Sequence, residues 1–220
     1  MMAVPKNNKQ IIITHPSFFS WQKRLLDCLL SVLALMILIP IYFLTWPILI
    51  LLHGRPVIFK QKRIGQNGQV FTVYKLRSMV RNAEMWRGRE RKRFAQLNYA
   101  PAPMFKIAND PRFTKIGHWL SRTGLDELPQ LINIFKGEMS FVGPRPLPKK
   151  EALALKTLKP VWFEWRHRVK PGIFSVWTLD DRRHQSLKVW QTLDQQTLAL
   201  SLLKQFQLMI KIALKQIKKF

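Results

Sequence analysis

Leu-Leu-Ser-Val-Leu-Ala-Leu-Met-Ile-Leu-Ile-Pro-Ile-Tyr-Phe-Leu-Thr-Trp-Pro-Ile-Leu-Ile-Leu-Leu, residues 29–52, contains no Asp, Glu, Lys, Arg or His. The run exceeds the ~20 apolar residues that a helix needs to cross the hydrocarbon of a bilayer. A signal peptide fits poorly, because polar and mixed residues precede the run and no small-residue cleavage site follows it. The flanks are the informative part. Lys6, Lys9, Lys23 and Arg24 lie before the run, and Arg55, Lys60, Lys62 and Arg63 lie after it. Cytoplasmic flanks attract Lys and Arg, so a simple crossing violates that preference at one end. A helix that enters, breaks and returns satisfies it at both. Pro40 supplies the expected break, since it lacks an N–H and its ring clashes with the preceding turn; Pro47 is a second candidate. The expectation is a re-entrant hairpin over residues 21–53, shallow and covered by its own domain, because irregular backbone at membrane depth needs protein partners.

Around this run the chain is strongly basic. Its 220 residues carry 37 Lys+Arg against 12 Asp+Glu, a net charge of +25. Such a field favours an anionic partner: nucleic acid, anionic membrane lipid or a phosphorylated substrate. No zinc-ligand spacing, RNA-binding signature or helix-turn-helix pattern accompanies the charge, so no nucleic-acid partner is expected. Cys28 is the only cysteine, which rules out an internal disulfide; beside an apolar run it reads as a small hydrophobe.

The remaining organisation follows from local signals. Residues 1–20 read as a variable lead. Asn67-Gly68 between short apolar groups predicts a β-hairpin within 54–74. Residues 81–94 predict a basic helix whose crowded arginines suit either solvent, lipid headgroups or a diphosphate. Asn109-Asp110-Pro111 predicts a turn, and 113–121 a short helix. Trp162, Phe163 and Trp165 among Lys159, Arg166, His167 and Arg168 suit a membrane–water interface or half-buried packing. Residues 186–220 predict a basic amphipathic helix, with Leu200, Leu203, Phe206, Met209, Ile210, Ala213, Leu214 and Ile217 on one face and Lys204, Lys211, Lys215, Lys218 and Lys219 between them. Anionic lipid fits that pattern, and so does a second protomer of a homodimer.

Asp126-Glu127 is an adjacent acidic pair in this basic chain. Neighbouring carboxylates repel and need a cation or metal to stay ionised together. One can then attack while the other holds Mg²⁺. The plain alternative is an acidic first turn on a helix over 126–135, where backbone N–H groups also attract anionic oxygens. Gly143-Pro144-Arg145-Pro146 is a rigid loop that aims Arg145, whose guanidinium offers a bidentate fork to a phosphate. The alternative for Arg145 is a structural ion pair with Glu138.

Leu-Asp-Glu-Leu-Pro-Gln-Leu-Ile-Asn at 125–133, Lys-Gly-Glu-Met-Ser at 136–140 and Val-Gly-Pro-Arg-Pro at 142–146 closely resemble the bacterial sugar transferases, the monotopic polyprenol-phosphate phosphoglycosyl transferases. Residues 59–79 and 105–117 resemble two further blocks of that family. The resemblance runs from about Trp21 to about Arg182. It implies an α+β, predominantly helical fold. A re-entrant hairpin precedes a cytoplasmic catalytic domain over 54–185, with a short β-hairpin and interfacial amphipathic helices. It implies a monotopic enzyme on the cytoplasmic face of the bacterial inner membrane. The implied reaction moves a sugar-1-phosphate from a UDP-sugar to undecaprenyl phosphate, releasing UMP, as the first membrane step of glycan assembly. Asp126 would form the covalent phosphosugar intermediate, and Glu127 would hold Mg²⁺. Arg145, Arg112, Arg122, Lys75, Arg77, Lys170 and Arg182 would contact phosphate or substrate.

Several positions depart from the family pattern. Relatives often carry Ser before the kinking proline, where this chain has Ile39. They often carry Arg five residues before the catalytic Asp and Ser two before it; here these are Ser121, with Arg122 adjacent, and Gly124. After Lys170-Pro171-Gly172-Ile173 relatives continue Thr-Gly and a Trp-containing stretch ending in Gly-Arg, whereas this chain has Phe174-Ser175-Val176-Trp177 and later Asp181-Arg182. That altered segment opens the alternative of a catalytically impaired membrane scaffold.

Overall fold

The computed structural model describes residues 14–217. Lys6 and Lys9 of the lead and the terminal Lys218 and Lys219 lie outside the described residues. The apolar run forms helix α1, Trp21–His53, capped at its start by the Ser20 hydroxyl, which accepts from Lys23 N, and closed at Gly54 with φ 69°. Helical backbone continues through Pro40 and Pro47, so the interruption expected at Pro40 is absent and the run is one element. Each proline removes one N–H from the ladder. The flanking residues keep their helical bonds, since an apolar stretch offers the backbone no other partners.

Both halves of α1 pack on the rest of the protein. Leu30, Ala34, Leu35 and Leu38 meet a core that includes Leu131, Ile134, Leu208 and Ile212. Tyr42 and Ile50 meet Leu49, Val57, Leu76 and Leu120. The two ends are also tied down. Arg24 donates to the carbonyls of Ile134 and Phe135 at 2.7 and 2.8 Å, and Asp27 accepts from Phe141 N at 3.2 Å. At the far end Arg77 donates to the Gly54 and Arg55 carbonyls at 2.8 and 3.2 Å. The remaining face presents Met36, Ile37, Phe43 and Leu51 to the surroundings.

Strands β1, Ile58–Ile64, and β2, Val70–Leu76, form the expected antiparallel hairpin, with Ile58 opposite Leu76 and Asn67 left-handed at φ 54° in its turn. Asn133 stitches this hairpin to the next layer: its amide donates to Thr72 O at 2.7 Å and accepts from Tyr74 N at 3.3 Å. The basic segment splits at Glu90 into α2, Ala83–Arg89, and α3, Arg91–Gln96. Helix α4 spans Lys115–Thr123 and a short helix α5 Leu131–Lys136. Strands β3, Ser140–Val142, and β4, Gly172–Phe174, run parallel.

The second core joins α6, Lys149–Leu158; α7, Pro160–Arg166; α8, Val176–Leu179; and α9, Leu187–Leu198. Trp162, Phe163 and Trp165 are buried in it beside Trp177 and Trp190, which corrects the interfacial reading of those aromatics. Trp162 Nε1 and Arg166 Nε both donate to Asp194 at 2.9 Å. The C-terminal segment is two helices rather than one, since α10 begins anew at Leu202 and runs to Ile217. Leu208 and Ile212 of α10 face the core, and Leu203, Phe206, Ile210 and Leu214 face outward.

Candidate active site

Asp126 and Glu127 stand on a 3-10 segment, Leu125–Gln130, entered through Gly124 at φ 78°. The expected α-helical first turn is absent for a chemical reason. Pro129 has no N–H to return to the Leu125 carbonyl, so the i→i+4 pattern cannot start there. Helix α5 begins only at Leu131, and the acidic pair owes nothing to its N-terminus.

The two carboxylates sit in different environments. Glu127 Oε1 accepts from Lys75 Nζ at 2.7 Å and from Arg145 Nη2 at 2.5 Å. Its Oε2 has only Arg145 Nη1 at 3.5 Å. Asp126 is buried, yet its sole ion-pair partner is Lys75 at 4.0 Å, and it accepts no hydrogen bond among the described residues. Desolvation, only partly offset by Lys75, raises the Asp126 carboxyl to about 6, with Glu127 adding repulsion. Glu127 is also desolvated, but Arg145 and Lys75 outweigh that and hold it well below the usual carboxylate range. The dyad therefore consists of a clamped carboxylate and a loose one.

Arg145 is positioned from several directions. Arg166, locked on Asp194, donates to its carbonyl at 2.9 Å, and its guanidinium lies 5.1 Å from the Trp177 ring centre. Glu138, the alternative partner for Arg145, instead takes the Asn133 amide at 2.6 Å. Two cations that the sequence reading missed complete the cluster. Arg63 is buried and donates to Pro146 O and to Gln61. Lys106 is exposed along part of its side chain, while desolvation of its ammonium, with Arg145, Lys75 and Arg63 close by, lowers it to about 8. Both lie inside the two upstream sequence blocks, and no local pattern separates them from the other cations there.

The remaining candidates are distributed elsewhere. Arg112 is buried against Asp110, with bonds of 2.9 and 2.6 Å occupying its fork. Arg77 caps the end of α1. Arg182 is exposed and bound to Asp180 at 2.9 Å. Arg122 is exposed in the last turn of α4. Lys170 lines a separate cavity at the start of α1. Of the predicted substrate contacts, Lys75 and Arg145 meet the acidic pair.

This constellation can hold a diphosphate. Lys75, Arg145, Arg63 and Lys106 outnumber the two carboxylates, which leaves positive charge for phosphate oxygens. The donor set also fits Mg²⁺, which takes one or two carboxylates and completes its shell with water and substrate oxygens. Glu127 Oε2 and the unbonded Asp126 are the oxygens left for it. Among the described residues no cluster of three or more His, Cys, Asp or Glu side chains could hold a metal by itself, so substrate oxygens would be needed.

Comparison with known proteins identifies the family. A family profile described as bacterial sugar transferase matches residues 18–220. The exopolysaccharide production protein ExoY of Sinorhizobium fredii is 35% identical over 168 residues, covering 74% of this chain and 71% of that protein. The galactosyl transferase CpsE of Streptococcus agalactiae is 40% identical over 131 residues, covering 60% of this chain and 27% of that protein. The undecaprenyl-phosphate galactose phosphotransferase of Salmonella typhimurium is 36% identical over 163 residues, 73% of this chain and 33% of that protein. This chain thus spans most of the first relative and a third or less of the other two. With a matched profile over nearly its whole length and the acidic dyad inside it, the chain belongs to the bacterial sugar transferase family.

Proposed function

We propose that this protein transfers a sugar-1-phosphate from a UDP-sugar to undecaprenyl phosphate, giving undecaprenyl-diphosphate-sugar and UMP. The observation that carries the reading is the unequal dyad. Asp126, desolvated and accepting no hydrogen bond among the described residues, keeps its lone pairs available. An Asp126 oxygen attacks the β-phosphorus; the bond from that phosphorus to the bridging oxygen breaks, and UMP departs with the electron pair. An oxygen of the lipid phosphate then attacks the same phosphorus and expels Asp126. Lys75, Arg145, Lys106 and Arg63 neutralise phosphate charge throughout, which is most of what such transfers require beyond in-line placement. When bound, Mg²⁺ would supply further neutralisation of the diphosphate, with Glu127 as its main protein ligand. Clamped by two cations, Glu127 is unsuited to attack and suited to orient.

A cleft of about 610 Å³ lies between α1, the hairpin and the residues that follow the dyad, and no dyad residue lines it. Trp46 and Ile50 of α1, Val57, Ile58, Tyr74, Pro129 and Ile132 line it, with Arg55 and Lys60 at its polar edge. Its apolar walls next to α1 suit the first isoprene units of the acceptor. Tyr99 and Trp177, each in edge contact with His184, are with it the proposed flank for the donor base. Membrane attachment through α1, on the cytoplasmic face and without crossing, is supported by the tethering of both helix ends to one domain.

Incubation with donor alone tests the proposal. A hexose-phosphate adduct should appear on the peptide spanning Asp126, and Asp126→Asn should lose the adduct and all turnover. Donor consumption that always needs lipid, with no adduct ever trapped, rejects the covalent route. No nucleotide release from any UDP-sugar in a panel would favour the scaffold alternative.

A further inference from the structure

A second basic cavity, of about 190 Å³, opens at the start of α1 and shares no residue with the dyad's surroundings. Phe18, Lys23, Arg24, Asp27, Ser140 and Lys170 line it, and Gln66 of the hairpin turn closes one side. Three of those side chains are cationic and one is a carboxylate. Asp27 is committed: it accepts from Phe141 N at 3.2 Å and faces Lys23 at 3.7 Å. Arg24 uses two of its five guanidinium N–H groups on the Ile134 and Phe135 carbonyls, which leaves its charge without a counter-ion among the described residues.

Lys170 has neither a hydrogen bond nor an ion pair among the described residues. It lies beside Arg24: their terminal nitrogens are 3.5 and 3.3 Å from where a Gly137 Cβ would stand. Burial, then the neighbouring Arg24, lowers its ammonium pKa. The Ser140 hydroxyl, 2% exposed, also lacks a partner. Two uncompensated cations and an orphaned hydroxyl around one small cavity call for an anion with several acceptor oxygens. Just outside, Phe19 and Trp21 are 59% and 70% exposed, and Leu25, Leu26 and Leu29 continue the exposed apolar side of α1.

We propose that this cavity binds the phosphate of an anionic membrane phospholipid, whose acyl chains lie along the exposed side of α1. Aromatic side chains at the rim fit the headgroup level, and the apolar surface begins within one helical turn of the cations. Such a lipid would fix the depth at which the whole domain, and with it Asp126, sits on the membrane. The inference rests on the membrane placement of α1 and not on the transfer reaction.

Native mass spectrometry of the full chain in detergent, titrated with phosphatidylglycerol, phosphatidylcholine or inorganic phosphate, tests it. The unaltered chain should retain one phosphatidylglycerol in preference to phosphatidylcholine. Lys170→Gln should weaken that binding about tenfold, the loss of one charge-assisted contact, and Ser140→Ala should weaken it by a smaller factor. Lys188→Gln, a change at an exposed lysine on α9, should leave it unaltered. Thermal unfolding of each variant establishes that it is folded, and Ser140→Ala removes a single unpartnered oxygen, so it provides a reading independent of Lys170. Equal weakening by Lys188→Gln, or none by Lys170→Gln and Ser140→Ala, overturns the site. Displacement of the lipid by millimolar inorganic phosphate overturns its assignment to lipid. A chain that is inactive with every donor yet retains phosphatidylglycerol leaves this inference standing while removing the transfer reaction.

Discussion

At the scale of single residues, Asp126 and Glu127 are chemically similar and physically opposite. Ionised Asp126 is disfavoured by burial, so its carboxyl titrates above the ordinary 3.8, at about 6. For an acid raised in the folded state, the stabilising form is the protonated one, and its contribution is lost as pH rises from about 4 through 6. Asp126→Asn should therefore stabilise the metal-free protein at pH 7.5 by about 1–3 kcal/mol while abolishing turnover. Glu127 has the reverse sign: its stabilisation is full above the ordinary 4.5 and fades as pH falls below it. Glu127→Gln should cost about 1–3 kcal/mol, because Lys75 and Arg145 lose the negative charge of their shared acceptor. Melting curves of the two variants that shift in the same direction would refute this asymmetry. Activity should also fall on the acid side near pH 6, where the nucleophile protonates; a kcat/KM that stays flat down to pH 5 would show that Asp126 is not the group titrating. Much of this was legible in sequence, because two carboxylates side by side and a proline-framed arginine are local patterns. Arg63 and Lys106 were not, since they reach the dyad only through the folding of the hairpin and of the loop after α3.

Elements set the aim of those residues. Strands β3 and β4 meet at Gly143 and Gly172, where a Cβ on Gly172 would stand 2.1 Å from Gly143 N and one on Gly143 2.4 Å from Lys170 O. Gly143→Ala must force these strands apart and swing Arg145 two residues later; a displacement near 1 Å lowers turnover by about 100-fold. Kinetics near the unaltered level would mean that Arg145 is held by something else. Asp194 holds Arg166, which in turn holds the Arg145 carbonyl. Asp194→Ala strands a buried guanidinium and should cost about 3–5 kcal/mol, read from urea unfolding. The aromatics around Trp162 show why two readings of this layer stayed open in the sequence. Tryptophans beside arginines have the same local pattern at a membrane interface and in a core, and the deciding partner, Asp194, comes from a different helix. The split of the C-terminal segment into α9 and α10 was hidden likewise, because an apolar, Lys-dotted pattern continues across residues 199–201.

For the whole molecule, the governing feature is that an apolar helix is fastened at both ends to one domain. Arg24 and Asp27 anchor its start to α5 and β3, and Arg77 anchors its end to β2. In the proposed monotopic placement, two ends bonded to the same domain stay on one side of a hydrocarbon layer ~30 Å thick. Tags placed at Lys6 and Lys219 should accordingly both be reachable only from the cytoplasm; labelling of the first from the periplasm would reinstate a conventional span. The +25 charge is consistent with this arrangement, since it favours the anionic leaflet on that side.

The amino-acid sequence alone determined that residues 29–52 are an uncharged apolar stretch, that Asn67-Gly68 turns a hairpin, and that an acidic pair and a proline-framed arginine are candidates for a site, because each depends on neighbours within a few residues. Only the tertiary structure decided that α1 runs unbroken through Pro40, that Glu127 and not Asp126 takes the cations, and that Lys170 and Arg112 stand apart from the dyad. Those outcomes depend on which side chains distant in the chain come within about 4 Å of one another, the range over which a salt bridge forms. Charge type and spacing along a chain do not specify that.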